Sequence, residues 1–254
     1  MSDEHGSSRA AFALVRTPIE AKRRRIVVAS IQDMTPSYRR IVFASPDLAD
    51  FTSLGADDHL RIFFVPADFD LADAERLREH PSREYTPAAF GDGTLALDFV
   101  LHGTGPASEW AARAEVGDVA IIGGPRGSLV IEGAPDWWLL AGDLTALPAI
   151  RRHLAAVAPS TPVDVIIQAD AADEQELETR GDATITWVRD FDALVGALEA
   201  TPARGGDGFA FIAAEQGIVK PGRDLLIGRG IDIQRAVVKG YWRKGLTADA
   251  PKEH

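Results

Sequence analysis

Residues 137–150 read Trp-Trp-Leu-Leu-Ala-Gly-Asp-Leu-Thr-Ala-Leu-Pro-Ala-Ile, and they set the architecture of the second half of the chain. The run 137–141 is apolar throughout, which is typical of a buried strand, and helical composition follows at 146–156. Further predicted elements are strands at 163–167, 185–188 and 209–213 and a helix at 192–200. This β-α-β alternation predicts a Rossmann-like parallel α/β domain.

The first half has a different character, with short strand-like runs separated by glycine and proline. The runs lie at 25–31, 39–44, 59–65, 95–102 and 119–122, and helical pieces are predicted at 71–80 and 106–114. Several short strands broken in this way predict a small antiparallel β-barrel.

The fold class is therefore β plus α/β, with two domains and two tails. The barrel domain is predicted at 21–134 and the α/β domain at 135–246. Residues 1–20 are polar and rich in small side chains, so we expect a disordered tail there, and a flexible tail at 247–254.

The composition limits the possible functions. The 254 residues include no cysteine, which excludes disulfides, thiolate catalysis and iron–sulfur clusters, so redox chemistry would need a dissociable cofactor. The net charge of −11 argues against nucleic-acid binding. The six histidines show no metal-ligand spacing, and no secretory signal or bilayer-spanning run is visible. We expect a cytoplasmic monomer without membrane insertion or a metal site.

The end of the chain differs in charge from the rest. Residues 220–244 hold seven Lys or Arg against two Asp, a local balance of +5. Within them, Lys239-Gly-Tyr-Trp-Arg-Lys-Gly245 places two aromatic rings among three cations. Such a segment can attract and cover a planar anionic ligand. The same residues also suit a C-terminal strand that packs Tyr241 and Trp242 into the core.

Two segments of the first domain have residue types that a flavin cofactor requires. Arg83-Glu-Tyr-Thr86 offers a cation, an aromatic ring and a hydroxyl, although a plain strand end has the same composition. Residues 102–111, His-Gly-Thr-Gly-Pro-Ala-Ser-Glu-Trp-Ala, pass through glycines into a helix. The first N–H groups of that helix and Ser108 suit a pyrophosphate, or Ser108 simply caps the turn.

The turn within residues 141–150 is the first βα turn of the second domain. Dinucleotides bind at this place in open α/β sheets, although the segment is not a G-x-G-x-x-G fingerprint.

In this order, the segments resemble the siderophore-interacting protein family of FAD-binding ferric reductases, relatives of ferredoxin reductases. The shared motifs are Arg83-x-Tyr-Thr86, His102-Gly, Gly105-Pro-Ala-Ser-x-Trp-Ala111, Gly124-Pro-Arg-Gly-Ser128, Ala141-Gly-Asp-x-Thr-Ala-Leu-Pro-Ala149 and Gly240-Tyr-Trp-Arg-x-Gly245. The resemblance covers about residues 22–246.

The resemblance implies FAD and a reduced nicotinamide as cofactors and a ferric siderophore as the substrate. Its implied FAD-binding residues are Arg83, Tyr85, Thr86, His102, Ala107, Ser108 and Trp110. Its implied nicotinamide-binding residues are Asp143, Thr145 and Ala146. Its implied siderophore-facing residues are Lys239, Trp242 and Arg243.

The sequence departs from the family pattern at three places. Thr86 is followed by Pro87 and Ala88 where a second arginine is usual, which predicts one phosphate contact fewer and a looser hold on FAD. Leu144 replaces the usual acidic residue, and 213–215 read Ala-Ala-Glu instead of Ala-Gly-Glu.

The expected activity is electron transfer from NAD(P)H through FAD to siderophore-bound Fe(III), which releases iron as Fe(II). No catalytic side chain is expected, because the flavin carries the electrons. The acidic run 170–182, interpreted as a solvated loop, favours NADH because carboxylates repel a 2′-phosphate. Two alternatives stay open: a general flavin reductase with another acceptor, and a non-enzymatic flavin-containing siderophore-binding module.

Overall fold

The computed structural model describes residues 12–245, which form two domains. The strands are β1 (Ala13–Pro18), β2 (Arg23–Thr35), β3 (Tyr38–Ala44), β4 (Leu60–Phe64), β5 (Ser82–Tyr85), β6 (Pro87–Gly91), β7 (Thr94–Val100), β8 (Val119–Gly123), β9 (Gly127–Glu132), β10 (Trp137–Asp143), β11 (Pro162–Gln168), β12 (Asp182–Val188), β13 (Gly208–Glu215) and β14 (Ala236–Trp242). The helices are α1 (Ala74–Leu77), α2 (Pro106–Arg113), α3 (Leu147–Ala156), α4 (Phe191–Ala200) and α5 (Val219–Gly228). No helix among these residues is long and apolar enough to cross a membrane.

The first domain is a curved antiparallel sheet in the order β5-β4-β8-β2-β3-β7-β6. Its edge strands β5 and β6 lie at opposite ends of that order, yet only Thr86 separates them in sequence. Consecutive Cα atoms are about 3.8 Å apart, so the sheet must curl until its two edges meet. The predicted barrel is therefore confirmed, and its core includes Ile41, Leu60 and Leu97.

Helix α2 packs its inner face into this core. The ring of Trp110 lies 6.2 Å from Phe43, 5.1 Å from Phe64 and 5.9 Å from Phe99, measured between ring centroids. Proline at the first turn of α2 agrees with its predicted start.

The second domain is the predicted parallel sheet, in the order β12-β11-β10-β13-β14. Every residue of β10 is buried, and Trp137 and Trp138 are core residues, as expected from the apolar run. From β10 the chain proceeds outward on one side through β11 and β12, and on the other side through β13 and β14. The crevice at the carboxyl ends of β10 and β13 is therefore the topological switch point where α/β sheets bind ligands.

Part of the predicted N-terminal tail is structured. Residues 13–18 form β1, which pairs antiparallel with β9, and Phe12 is fully buried with its ring edge-on to Phe209 at 6.2 Å. The expectation failed because a six-residue strand gains its stability from a partner more than 100 residues away in sequence. Residues 1–11 and the predicted tail at 247–254 lie outside the described residues.

Three other elements differ from the expectation or refine it. The helix expected at 71–80 is a single turn, α1, and α5 forms although its sequence contains Pro221 and Gly222. The C-terminal segment is a strand, β14.

Between Glu132 and Trp137 the chain passes from β9 to β10, and the expected domain boundary at 134 falls in this connection.

Buried carboxylates join the two domains. Asp98 of β7 accepts hydrogen bonds from Tyr38 (3.0 Å) and Arg40 (2.7 Å), and Arg151 of α3 lies 4.0 Å away across the domain boundary. Asp173 accepts hydrogen bonds from the Thr35 hydroxyl at 2.5 Å and from a backbone N–H of the β2–β3 turn at 2.9 Å. A buried charge needs such partners, so these contacts fix how the domains sit against each other.

The acidic run 170–182 is therefore not simply a solvated loop. Asp173 is only 3% exposed and binds the barrel, and Glu174 forms an ion pair with Arg189. Composition alone did not reveal these roles, because the partners come from the other domain and from the far side of β12.

His153 lies on the barrel-facing side of the parallel sheet, surrounded by aromatic rings. Its ring centroid is 5.8 Å from Trp138, 5.1 Å from Phe209 and 5.0 Å from Phe211, and its Nε2 atom has no hydrogen-bond partner among the described residues. Burial, together with the positive charges of Arg152 and Lys239, lowers the pKa of His153 to about 3. The folded protein thus keeps this imidazole neutral.

This burial makes stability depend on pH. Below the ordinary histidine pKa of about 6.5, His153 binds a proton in the unfolded chain but stays neutral in the folded chain. The free energy of unfolding should therefore fall as the pH drops. Between pH 6.5 and pH 5 the loss from His153 is about 1.5 kcal/mol. When the free energy of unfolding is measured by chemical denaturation at several pH values, His153→Phe should remove this part of its dependence on pH. The matched variant His59→Phe, at an exposed position, should keep the full pH dependence. An equal pH dependence in His153→Phe and the parent protein would show that His153 does not cause it.

Candidate functional site

The Arg83–Thr86 segment lies where the two edges of the barrel meet. Across the β4–β5 pairing, Tyr85 is opposite Leu60 and Arg83 is opposite Ile62, so both side chains are on the inner face of the sheet. The Tyr85 ring lies 4.5 Å from that of Phe99. Burial raises the pKa of the Tyr85 phenol, and the charge of Arg83 offsets this only in part. Tyr85 is therefore a neutral aromatic surface at neutral pH.

Arg83 is available for an anion. Its guanidinium donates to the Ser82 carbonyl at 2.7 Å, and no carboxylate among the described residues forms an ion pair with it. Thr86, which follows Tyr85, is buried, and its side chain lies close enough to the hydroxyl of Tyr241 from β14 to lower the pKa of that phenol. The segment thus joins the barrel to the end of the second domain.

The start of α2 presents hydrogen-bond donors without a partner in the protein among the described residues. The Ser108 hydroxyl oxygen accepts the backbone N–H groups of His102 (3.0 Å) and Gly103 (3.2 Å), which leaves its own proton free to donate. No side chain caps the first turn of α2, so the N–H groups at Ala107 and Ser108 remain for a ligand. His102 is exposed beside Thr104, with 3.3 Å between Nδ1 and Oγ1.

The Gly-Asp turn after β10 is a compact, hydrogen-bonded unit. Asp143 accepts hydrogen bonds from the Thr145 backbone N–H (2.8 Å) and hydroxyl (2.5 Å). Its other carboxylate oxygen accepts the indole N–H of Trp242 at 2.7 Å. Burial raises the pKa of Asp143, and the hydrogen bonds from Thr145 and Trp242 offset part of that rise. The turn expected to receive the nicotinamide therefore also holds the end of β14.

The end of β14 crosses from one domain to the other. Lys239 forms an ion pair with Asp57 of the barrel at 2.5 Å, and the Tyr241 hydroxyl donates to the second Asp57 oxygen at 2.8 Å. Tyr241 and Lys239 therefore meet at Asp57, Tyr241 lies beside Thr86, and the next residue, Trp242, binds Asp143. The structure thus brings together residues that the sequence assigned to flavin, nicotinamide and acceptor.

Two predicted site residues have other roles in the structure. Trp110 packs in the barrel core, which accounts for it without a cofactor. Ala146 is fully buried, and a Cβ placed on Gly142 would lie 2.6 Å from its methyl group, so the Ala146 side chain is enclosed by the turn and not open to a ligand.

A basic groove of about 890 Å³ begins at Lys239 and runs over the barrel. Its charged lining residues are Arg16, Lys22, Arg23, Arg61, Arg78, Arg126, Lys239, Asp57, Asp58 and Glu84. Seven cations against three carboxylates give the groove a formal charge of +4. Three of the cations have carboxylate partners: Lys22 pairs with Asp50, Arg61 with Glu84 and Lys239 with Asp57.

Most of these groove residues were missed at the level of sequence. The expected basic patch at 220–244 is divided in space. Lys220 pairs with Asp224, Arg229 binds the C-terminal end of α4, and Arg235 pairs with Asp207. Only Lys239 of that segment lines the groove, while Arg243 is exposed beyond it. The one feature of the sequence that could have pointed to the groove was Arg126 within the Gly124–Ser128 motif, to which no role had been assigned.

Among residues 12–245, no group of three or more acidic or histidine side chains is placed to hold a metal ion.

Comparison with known proteins identifies relatives over both domains. Residues 135–245 match the family model described as siderophore-interacting protein, and residues 27–129 match the siderophore-interacting FAD-binding domain. An NADPH-dependent ferric-chelate reductase of Escherichia coli is 30% identical over 86% of this chain and 92% of its own. A ferric vibriobactin reductase of Vibrio cholerae is 27% identical over 84% of this chain and 87% of its own. A siderophore utilization protein from T. fusca superposes with a TM-score of 0.81 at 31% identity, covering 93% and 97% of the two chains.

The Gly-Asp turn should tolerate no side chain at position 142. A Cβ there would lie 2.3 Å from the Ala213 carbonyl oxygen, so Gly142→Ala must push β10 away from β13. Overpacking of this kind should cost about 1–3 kcal/mol of unfolding free energy. The control is Gly196→Ala in α4, where a Cβ meets open space and should stabilise the protein by about 0.5–1 kcal/mol. Thermal and urea unfolding measure both, and equal effects of the two substitutions would refute the packing argument.

Proposed function

Since the chain belongs to the siderophore-interacting protein family, we propose that it is an NAD(P)H:ferric-siderophore oxidoreductase that uses FAD. The observation that carries the proposal is the position of the end of β14, where Lys239 and Tyr241 bind Asp57 of the barrel, Trp242 binds Asp143, and Tyr241 lies beside Thr86. These contacts bring the Arg83–Thr86 segment, the Asp143–Thr145 turn and the basic groove next to one another, which supports the proposal. An enzyme that passes electrons from one small molecule to another needs this adjacency.

The residues present fit FAD. Arg83, the uncapped start of α2 and the Ser108 hydroxyl supply a cation, backbone N–H groups and a donor, which are the groups that bind a diphosphate. Tyr85 supplies a neutral aromatic face, and Thr86 supplies a hydroxyl beside it. When bound, FAD supplies hydride acceptance from a reduced nicotinamide and single-electron transfer to ferric iron. The missing second arginine after Thr86 remains a reason to expect looser binding.

The groove suits an anionic iron complex. Siderophores bind iron through oxygen donors, and many of their ferric complexes carry negative charge, which the groove's excess of cations attracts. Reduction to Fe(II) weakens the hold of these hard oxygens, so iron is released without any iron ligand from the protein. In this proposal the chain's own side chains bind and orient the complex near the Thr86 junction.

The nicotinamide site is proposed at the Asp143–Thr145 turn, at the switch point of the parallel sheet. The earlier preference for NADH has no support, because the Escherichia coli relative is named as NADPH-dependent. Two acids of the run that suggested NADH are also engaged in protein contacts, Asp173 with the barrel and Glu174 with Arg189. Either reduced nicotinamide is a candidate donor.

Anaerobic stopped-flow spectroscopy tests the proposal in two steps. The FAD-loaded protein should lose its flavin absorbance on mixing with NADPH or NADH. Adding a ferric siderophore should then restore it, and a chromogenic ferrous chelator should trap Fe(II). The gallium(III) complex of the same siderophore is the control, because gallium(III) cannot accept the electron.

The outcomes separate the alternatives. Absence of bleaching with both nicotinamides would indicate a binding module and not a reductase. Bleaching followed by recovery with other acceptors, but not with ferric siderophores, would indicate a general flavin reductase.

The groove can be tested by removing one of its charges. Arg126 lines the groove and has no ion-pair partner among the described residues, so Arg126→Gln should weaken binding of a trianionic ferric chelate about three- to tenfold. Flavin reduction by the nicotinamide should not change. The concentration dependence of flavin reoxidation measures the effect, and it should diminish at high salt. Arg180→Gln, an exposed cation outside the groove, is the matched control, and equal effects of the two variants would contradict this placement of the acceptor.

A further inference from the structure

The Lys239–Asp57 ion pair in the groove joins a flexible, partly exposed side chain to a buried one. Lys239 has a flexible side chain that is 42% exposed, whereas the Asp57 side chain is 6% exposed. Both Asp57 oxygens are engaged, one by Lys239 and one by the Tyr241 hydroxyl. Burial and the Asp57 charge raise the pKa of Tyr241, so the hydroxyl keeps the proton that it donates.

The loop that carries Asp57 is held from several sides. The neighbouring Asp58 accepts hydrogen bonds from Ser53 (2.9 Å), Ser128 (2.5 Å) and the Gly55 backbone N–H (3.1 Å). Arg152 of α3 donates to the Ser53 hydroxyl at 3.0 Å and to its carbonyl at 2.8 Å. Asp57 therefore cannot swing away from the groove, and a ligand that recruits Lys239 must draw it from a fixed carboxylate.

A fixed carboxylate at this position changes what the groove can bind. It cancels the charge of Lys239 in the empty groove, and it repels an anion that approaches the lysine. Reduction from Fe(III) to Fe(II) adds one negative charge to the bound complex, and a positive groove attracts the product more strongly than the substrate. A fixed carboxylate makes that difference smaller.

We propose that Asp57 is a specificity-determining residue, which restrains Lys239 and so limits the affinity of the groove for anionic iron complexes. This inference rests on the proposed function and assigns a role to one residue within it. Asp57 touches no reacting atom in this account and acts through Lys239.

The test is a binding experiment with redox-inert complexes, using the FAD-loaded full chain. Gallium(III) tris-catecholate is a trianion, and gallium(III) tris-acetohydroxamate is neutral. Asp57→Asn keeps an acceptor for Tyr241 and removes the charge, so calorimetric titration should show about tenfold tighter binding of the trianion. Binding of the neutral complex should change less than about twofold, because a neutral ligand gains no Coulomb energy.

Two further variants show whether the gain comes through Lys239. Asp57→Asn combined with Lys239→Met should return trianion affinity to the parental level or below, because the released lysine is gone. Asp224→Asn is the matched control, since Lys220 and Asp224 form a lysine–aspartate pair at the same 2.5 Å distance outside the groove. Its effect on the trianion should stay below about twofold.

The possible failures are distinguishable. If the parent binds neither complex, the proposed function fails. If the parent binds the trianion but Asp57→Asn binds it equally or more weakly while retaining the parental melting temperature, only the role of Asp57 fails. If Asp57→Asn melts at a lower temperature, Asp57→Glu, which keeps the charge, should retain parental affinity, and a tenfold gain in that variant would overturn the proposal.

Discussion

Thr86 is the only residue between two edges of a seven-stranded sheet, and the site depends on this short connection. Because the chain cannot span a wider gap, the sheet curls closed, and Arg83, Tyr85 and Thr86 lie at the seam. A seam in a barrel is a place where backbone and side chains are not fully used by strand pairing. It can therefore present an aromatic ring, a hydroxyl and a cation to a ligand while the rest of the sheet stays a packed core.

The site also depends on a fixed relative position of the two domains. Arg152 of α3 binds Ser53 of the barrel, and two buried carboxylates, Asp98 and Asp173, lie at the contact between barrel and sheet. Each is surrounded by hydrogen-bond donors, as burial of a charge demands. With the domains fixed in this way, the end of β14 reaches back to the barrel, and Tyr241 contacts both Thr86 and Asp57.

The groove shows how charge is used in a protein that is acidic overall. Its cations come from β1, the β1–β2 segment, the start of β2, β4, the residue after α1 and the β8–β9 connection, with Lys239 from the other domain. Carboxylates lie among them, so the local field is positive but moderated. Under the proposed function, the groove binds an anion and later releases a more negative one, and a moderated field favours both steps.

The sequence by itself determined the change from an antiparallel to a parallel domain and the turns where ligands are expected. The buried run of β10, its Gly-Asp turn and the Pro106 start of α2 are local patterns, since periodicity and turn chemistry depend on neighbouring residues. The β1 strand, the split of the 220–244 charges and the pairing of Asp57 with Lys239 were decided by the tertiary structure alone. Asp57 and Lys239 are 182 positions apart, and Asp143 and Trp242 are 99 apart. Contacts over such separations depend on how whole domains pack, which no local pattern encodes.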